Sequence, residues 1–204
     1  MTANKLDTWP DPVQIQLSGS GGQGLILAGI ILAAGAIADG HFVIQTQAYG
    51  PEARGGASRA EVIIGSELID YPHVERPDIL LALTQEACIK YLPAAAEKAL
   101  VIVDSLLVEN VPDTAATVIK LPIIQTARQE VGREIVANIV ALGSLNAAAS
   151  LVSWPSLEAA VLARVPAAFA ELNKKALTAG RDLISKGNKK VAIRSQETGD
   201  RSQH

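Results

Sequence analysis

Cysteine is almost missing from this chain: 204 residues contain only Cys88. No disulfide can therefore form within the chain, and it cannot by itself supply the four thiolates of an iron–sulfur cluster or a structural zinc site. Histidine is nearly as scarce. His41, His73 and His204 are scattered and show no ligand spacing. Aromatic residues make up only 3%. The net charge is −3, so the chain carries no electrostatic footprint for nucleic acid. No apolar run is long enough to be a membrane span: the longest, Leu25 to Ala38, falls well short of the ~20 residues required and follows a glycine turn. The opening residues 1–12 are polar and lack the apolar stretch of a signal peptide, which predicts a cytoplasmic protein.

What the chain has in quantity is small and branched aliphatic residues. Hydrophobic residues account for 49% and charged ones for 19%, with a mean hydropathy of +0.23. An interior of Ala, Ile, Leu and Val suits parallel strands buried on both faces, and it also suits a protein that hides apolar surface against partner subunits.

Along the chain, 1–12 reads as an irregular arm, 13–185 as one domain and 186–204 as a polar, flexible C-terminal tail. Strand 13–17 leads through a glycine-rich turn into helix 25–38. Asp39-Gly40 then closes that helix before strand 41–47, predicting a right-handed βαβ unit. Further strands are expected at 58–64, 79–83, 100–103 and 117–121, with a helix capped by Thr84 running to about Leu92. The last third reads as helical, over 122–131 and 133–151, with Pro155 and Pro166 near the first turns of two more helices. The expected fold is α/β: a Rossmann-like, open, mostly parallel sheet with flanking helices and a helical C-terminal part.

The segment Gly19-Ser20-Gly21-Gly22-Gln23-Gly24 carries the most chemical information. A glycine turn between strand and helix brings bare amides to a helix N-terminus, where the dipole also favours an anion. Its spacing fits nucleotide-binding turns, although a tight turn without a ligand needs similar glycines. A nicotinamide site would want an acidic residue at the end of the second strand, where this chain has Gln45-Thr46-Gln47. Asp39 comes too early, and no Lys-Ser/Thr pair completes a P-loop. In the loop Tyr49-Gly50-Pro51-Glu52-Ala53-Arg54-Gly55-Gly56, Arg54 can bind a phosphate or carboxylate through two parallel hydrogen bonds. Equally, it can pair with Glu52 or a partner subunit. Thr84 and Asp104-Ser105 read as a helix cap and a turn, Cys88 as a buried structural thiol, and Asn138 as hydrogen-bonded or at an interface. No catalytic triad or paired-carboxylate spacing emerges.

The two glycine segments resemble the signatures of the gamma subunit of 2-oxoacid:ferredoxin oxidoreductases. The same holds for Arg76-Pro77-Asp78 with its apolar strand, for Leu83-Thr84-Gln85-Glu86-Ala87, and for Ala137-Asn138-Ile139-Val140-Ala141-Leu142-Gly143. The resemblance covers about residues 13–180 in the family's order. It implies a multi-subunit enzyme that decarboxylates a 2-oxoacid oxidatively with coenzyme A (CoA), giving an acyl-CoA and carbon dioxide. Thiamine diphosphate with Mg²⁺ and [4Fe-4S] clusters would be held by partners: thiamine-binding alpha and beta subunits, a ferredoxin-like cluster subunit, and in some relatives a flavoprotein that uses NAD. The residues expected to meet CoA are Gly19, Ser20, Gly21, Gly22, Gln23, Gly24, Glu52, Arg54, Gly55 and Gly56, with no catalytic or metal-binding residue on this chain. A gamma domain without fused thiamine or ferredoxin domains leans towards 2-oxoglutarate or aryl-oxoacids. Pyruvate, branched-chain oxoacids, indolepyruvate and phenylglyoxylate stay open, as does the choice of ferredoxin or NAD as acceptor. The competing readings are a stand-alone nucleotide-binding or regulatory module of Rossmann-like fold, and a purely architectural subunit.

Overall fold

The computed structural model describes residues 8–48 and 57–199; side chains are described for 8–47 and 58–186. Six strands form one sheet in the order β2-β3-β1-β4-β5-β6. They are β1 (Val13–Ser20), β2 (Phe42–Ala48), β3 (Ala57–Gly65), β4 (Ile79–Ala82), β5 (Leu100–Asp104) and β6 (Thr117–Leu121). The pairs β1/β4, β4/β5 and β5/β6 are parallel, and β3 runs antiparallel to both of its neighbours. The sheet is thus mixed and mostly parallel, as the alternating apolar segments predict.

One expectation is corrected. β2 does not lie beside β1 as in a simple βαβ unit, because β3 inserts between them. The connection between Ala48 and Ala57 is too short for a parallel crossover, which needs a dozen or more residues. The chain instead reverses, and β3 returns antiparallel between its two predecessors.

Six helices follow the numbering α1 (Leu25–Ala38), α2 (Gln85–Tyr91), α3 (Ile123–Thr126), α4 (Ala137–Ala149), α5 (Trp154–Leu162) and α6 (Ala170–Gly199). Alternate strand residues separate two cores. Val13, Ile15, Leu17, Leu81 and Ile102 face α1 and the C-terminal helices, whereas Leu80, Ala82, Val101 and Val103 face α2. α3 continues as one π turn over Ala127–Val131, which Gly132 ends at φ 98°. α6 stays helical to Gly199, past the point where the sequence turns polar.

α4 is buried almost all round, and this explains its lack of a polar stripe. It crosses α6 at very close range. A Cβ on Gly180 would stand 2.0 Å from the Val140 carbonyl oxygen, and one on Gly143 would stand 2.2 Å from that of Leu177. Ser144 fastens the crossing by donating its hydroxyl to the Gly180 carbonyl at 3.0 Å. The Ala137–Gly143 motif therefore has a packing role at its C-terminal end.

The Arg76-Pro77-Asp78 motif is likewise explained by structure. Gln14 N–H donates to Asp78 Oδ2 (2.9 Å), while Asp78 N–H donates back to the Gln14 carbonyl (2.8 Å). This exchange fixes where β4 meets β1. Burial lifts the Asp78 carboxyl above its ordinary range, against the hydrogen bond from Gln14.

α1 and α5 are tied by Asp39, whose carboxylate accepts from Ser153 Oγ (2.8 Å), Ser156 Oγ (2.5 Å) and Ser153 N–H (2.5 Å). Desolvation raises the Asp39 pKa, but the hydrogen bonds from Ser156 and Ser153 outweigh it and the net shift is downwards. A carboxyl depressed in the folded state contributes stability above its unfolded pKa and loses it as pH falls through its folded pKa. Asp39→Asn is therefore expected to lower the melting temperature at neutral pH and to flatten its fall in acid. Thermal melts of both proteins from pH 7 down to pH 3 check this, and parallel curves would contradict it.

Candidate functional site

α1 covers one face of the sheet and α2, which follows β4, covers the other. The chain thus departs to opposite faces after two adjacent parallel strands. That arrangement is a topological switch point, which opens a crevice beyond the carboxyl ends of β1 and β4. The glycine turn forms one wall of this crevice.

The turn is built by its own side chains. Gln23 folds back so that its Oε1 accepts from Ser20 N–H at 2.8 Å. It lies so close over Gly19 that a Cβ there would come within 2.2 Å. Gly24 caps α1 in the left-handed region at φ 73°, where an L side chain is strained. Its carbonyl accepts from Ala28 N–H (3.1 Å) and from Asn138 Nδ2 (3.1 Å). A Cβ on Gly24 would stand 2.6 Å from that same Asn138 nitrogen. Asn138, on the motif of α4, is therefore the peg that holds the glycine turn, in keeping with its expected hydrogen bonding.

α1 begins with no side-chain cap and no acidic residue in its first turn. The amides of Gly21, Gly22, Leu25 and Ile26 find no acceptor among the described residues. They point where the helix dipole is positive. Gly21 is exposed, lies outside the left-handed region and has open space where a Cβ would stand. Packing among the described residues does not demand a glycine at this position.

Glu52, Arg54, Gly55 and Gly56 lie outside the described residues. The strands that flank their loop end at the glycine turn: Ala57 pairs with Ser20 and Ser58 with Gly19. Ser58 Oγ donates to the Ser20 carbonyl at 3.3 Å. The chain therefore leaves β2 and enters β3 at the same end of the sheet as residues 19–24.

The other residues singled out in the sequence are structural. Thr84 Oγ1 accepts from Ala87 N–H (3.3 Å) and caps α2. Asp104 is fully buried and accepts from the amides of Leu106 and Leu107 (2.9 Å each) and of Ile124 (2.8 Å), which fixes both the turn after β5 and the start of α3. Cys88 is buried in α2, and burial pushes its thiol pKa up despite the nearby Lys120 charge, as for a structural thiol.

Sequence reading passed over a polar row on the α2 face beside the crevice. Glu61 is 5% exposed, accepts from Thr46 Oγ1 at 2.9 Å and lies 3.2 Å from Arg59 Nε. Gln16, equally buried, is its cross-strand partner, and the Arg59 guanidinium stacks over the Tyr91 ring at 5.9 Å. In the sequence Arg59 and Glu61 share the polar phase of the β3 alternation, so no local signal marks Glu61 as buried.

The fold is a mixed α/β domain with a glycine turn at its switch point, and no metal-binding cluster occurs among the described residues. The chain belongs to the pyruvate ferredoxin/flavodoxin oxidoreductase family, whose pattern it matches over residues 14–183. It is 44% identical over 183 residues to the 2-oxoglutarate synthase subunit KorC of Methanothermobacter marburgensis, covering 86% of this chain and 98% of that one. The crystal structure of a keto/oxoacid ferredoxin oxidoreductase gamma subunit from Geobacter sulfurreducens superposes with a TM-score of 0.76 at 51% identity, over 83% of this chain and 96% of that one. The same fold recurs in the 2-oxoglutarate:ferredoxin oxidoreductase of Magnetococcus marinus (TM-score 0.77, 21% identity), over 87% of this chain and 32% of that longer one. The chain is thus a gamma-type subunit of a 2-oxoacid oxidoreductase, and these matches do not favour a stand-alone nucleotide-binding module. Placing β2 one strand away from β1 also removes the neighbouring strand end where a nicotinamide ribose would be read. No helix among the described residues is long and apolar enough to cross a membrane.

Proposed function

We propose that this chain serves an enzyme that converts 2-oxoglutarate and CoA to succinyl-CoA and carbon dioxide, and that its glycine turn holds CoA phosphates. The likeness to 2-oxoglutarate synthase subunits over nearly their whole length carries the substrate assignment. The uncapped amides of the turn, at a switch-point crevice, support the phosphate role. Gly19, Gly24 and Gln23 shape the turn, the amides around Gly21 and Gly22 donate, and Arg54, with Glu52, Gly55 and Gly56, completes the cradle from the second loop. One cysteine and three scattered histidines do not fit a cluster or metal site. In this reading thiamine diphosphate, Mg²⁺ and the [4Fe-4S] clusters reside in partner subunits, thiamine-binding and ferredoxin-like, and electrons leave to ferredoxin. Cytoplasmic location follows from the same reading.

The test is an assay of the purified complex with 2-oxoglutarate, pyruvate, branched-chain oxoacids, indolepyruvate and phenylglyoxylate. The expected result is a kcat/KM for 2-oxoglutarate at least about tenfold above the others, a gap of ~1.4 kcal/mol in transition-state binding. Preference for another oxoacid would overturn the substrate assignment. An Arg54→Ala complex that kept the wild-type KM for CoA would remove Arg54 from the cradle.

A further inference from the structure

An apolar cleft of about 230 Å³ opens beside the glycine turn, on the α1 face. Leu27, Val136, Ile139, Val165 and Phe169 line it, and Ile135 stands at its rim 82% exposed. Phe169 is itself 45% exposed. So large an aliphatic side chain held in water beside an open apolar cleft is the pattern of a surface that a partner covers. The charges are one-sided. Among the described residues Arg133 is the only charged one in the lining and has no ion-pair partner, whereas neighbouring Glu134 is taken by Arg128 at 2.6 Å. Leu27 brings the first turn of α1, with its positive dipole end and no acidic residue, to the same rim.

We propose that this cleft docks a segment of a partner subunit that inserts a large apolar side chain and sets a carboxylate against Arg133. The inference rests on the multi-subunit reading above. The cleft has the size of one or two large side chains, which matches an anchor-and-pocket contact. The positive rim selects an acidic neighbour for that anchor. The peg Asn138 lines this cleft as well as holding Gly24, so docking there and the shape of the glycine turn share one residue.

The experiment uses the co-expressed full complex, with Ile135→Asp and Arg133→Glu made separately. Both side chains are exposed, so the isolated chains should melt as wild type. Each variant is expected to dissociate from the complex at protein concentrations at least about tenfold higher than wild type, a loss typical of an anchor residue. Arg133→Lys is expected to recover most of the loss, and added salt to weaken wild type more than Arg133→Gln. Normal assembly of both variants with unchanged kinetics would overturn the proposal. So would normal assembly with a raised KM for CoA, which would make the cleft a small-molecule subsite instead. A wild-type chain that associated with no thiamine-binding subunit would overturn the oxidoreductase reading itself, an outcome separate from equal assembly of variant and wild type.

Discussion

A complex carrying Gly24→Ala is expected to show a KM for CoA raised roughly tenfold or more, together with a destabilised gamma subunit. Two costs add at this position. The left-handed backbone costs an alanine about 1–2 kcal/mol, and the new methyl would stand 2.6 Å from Asn138 Nδ2, displacing the amide that bonds the Gly24 carbonyl. Losing that bond costs a further ~1 kcal/mol. For a chain of this size the sum corresponds to a melting temperature lower by roughly 5–10 °C. The affinity effect follows because displacing Asn138 re-aims the uncapped amides of α1. Asn138→Ala separates the two contributions: it frees the carbonyl without straining the backbone, so its expected effects are in the same direction but smaller. Titration of CoA at saturating oxoacid, beside thermal melts of the isolated chain, reads both. A Gly24→Ala complex with unchanged CoA saturation would remove the glycine turn from the CoA site and leave it a structural turn.

Gly180→Val should be still more damaging to the fold. The first added carbon would lie 2.0 Å from the Val140 carbonyl oxygen and 2.8 Å from Ser144 N, both backbone atoms of a buried helix. No rotamer change relieves such a contact, so α6 must move off α4, breaking the bond from Ser144 Oγ to the Gly180 carbonyl. Because the clash is with backbone on both sides, the cost should sit at the upper end of the usual overpacking range, about 3 kcal/mol, equivalent to a loss of roughly 6–12 °C. Because α4 also carries Asn138, the disturbance should reach the glycine turn. Lys175→Ala, exposed on the same helix, is the control and should melt as wild type. Equal melting of Gly180→Val and that control would show that α6 can move off α4 at no cost.

The sequence made the elements legible because their signals are local. α1 and β6 follow the expected bounds, and Thr84 caps α2 as its position implied. The place of β3 was harder, since pairing partners are set by tertiary contact and the apolar alternation of 58–64 suits either direction. Only the shortness of the 49–56 connection carried the answer. At the site, the glycines announced a turn, but the side-chain peg came from far along the chain. Asn138 was marked only as a polar residue in an apolar helix, and nothing local tied it to Gly24, 114 positions earlier. The α2-face row of Thr46, Glu61 and Gln16 was invisible for a similar reason: three polar residues on three strands become neighbours only once the register is known.

The central claim is that this chain works as one subunit of a 2-oxoacid oxidoreductase and brings no redox cofactor of its own. Native purification of the tagged chain, with mass spectrometry and with iron and thiamine analysis of what accompanies it, tests this most directly. The account predicts co-purification with a thiamine-diphosphate subunit and an iron–sulfur protein, in a complex that forms acyl-CoA from 2-oxoglutarate and CoA. A lone, cofactor-free monomer that binds a nucleotide unaided under gentle conditions would contradict it.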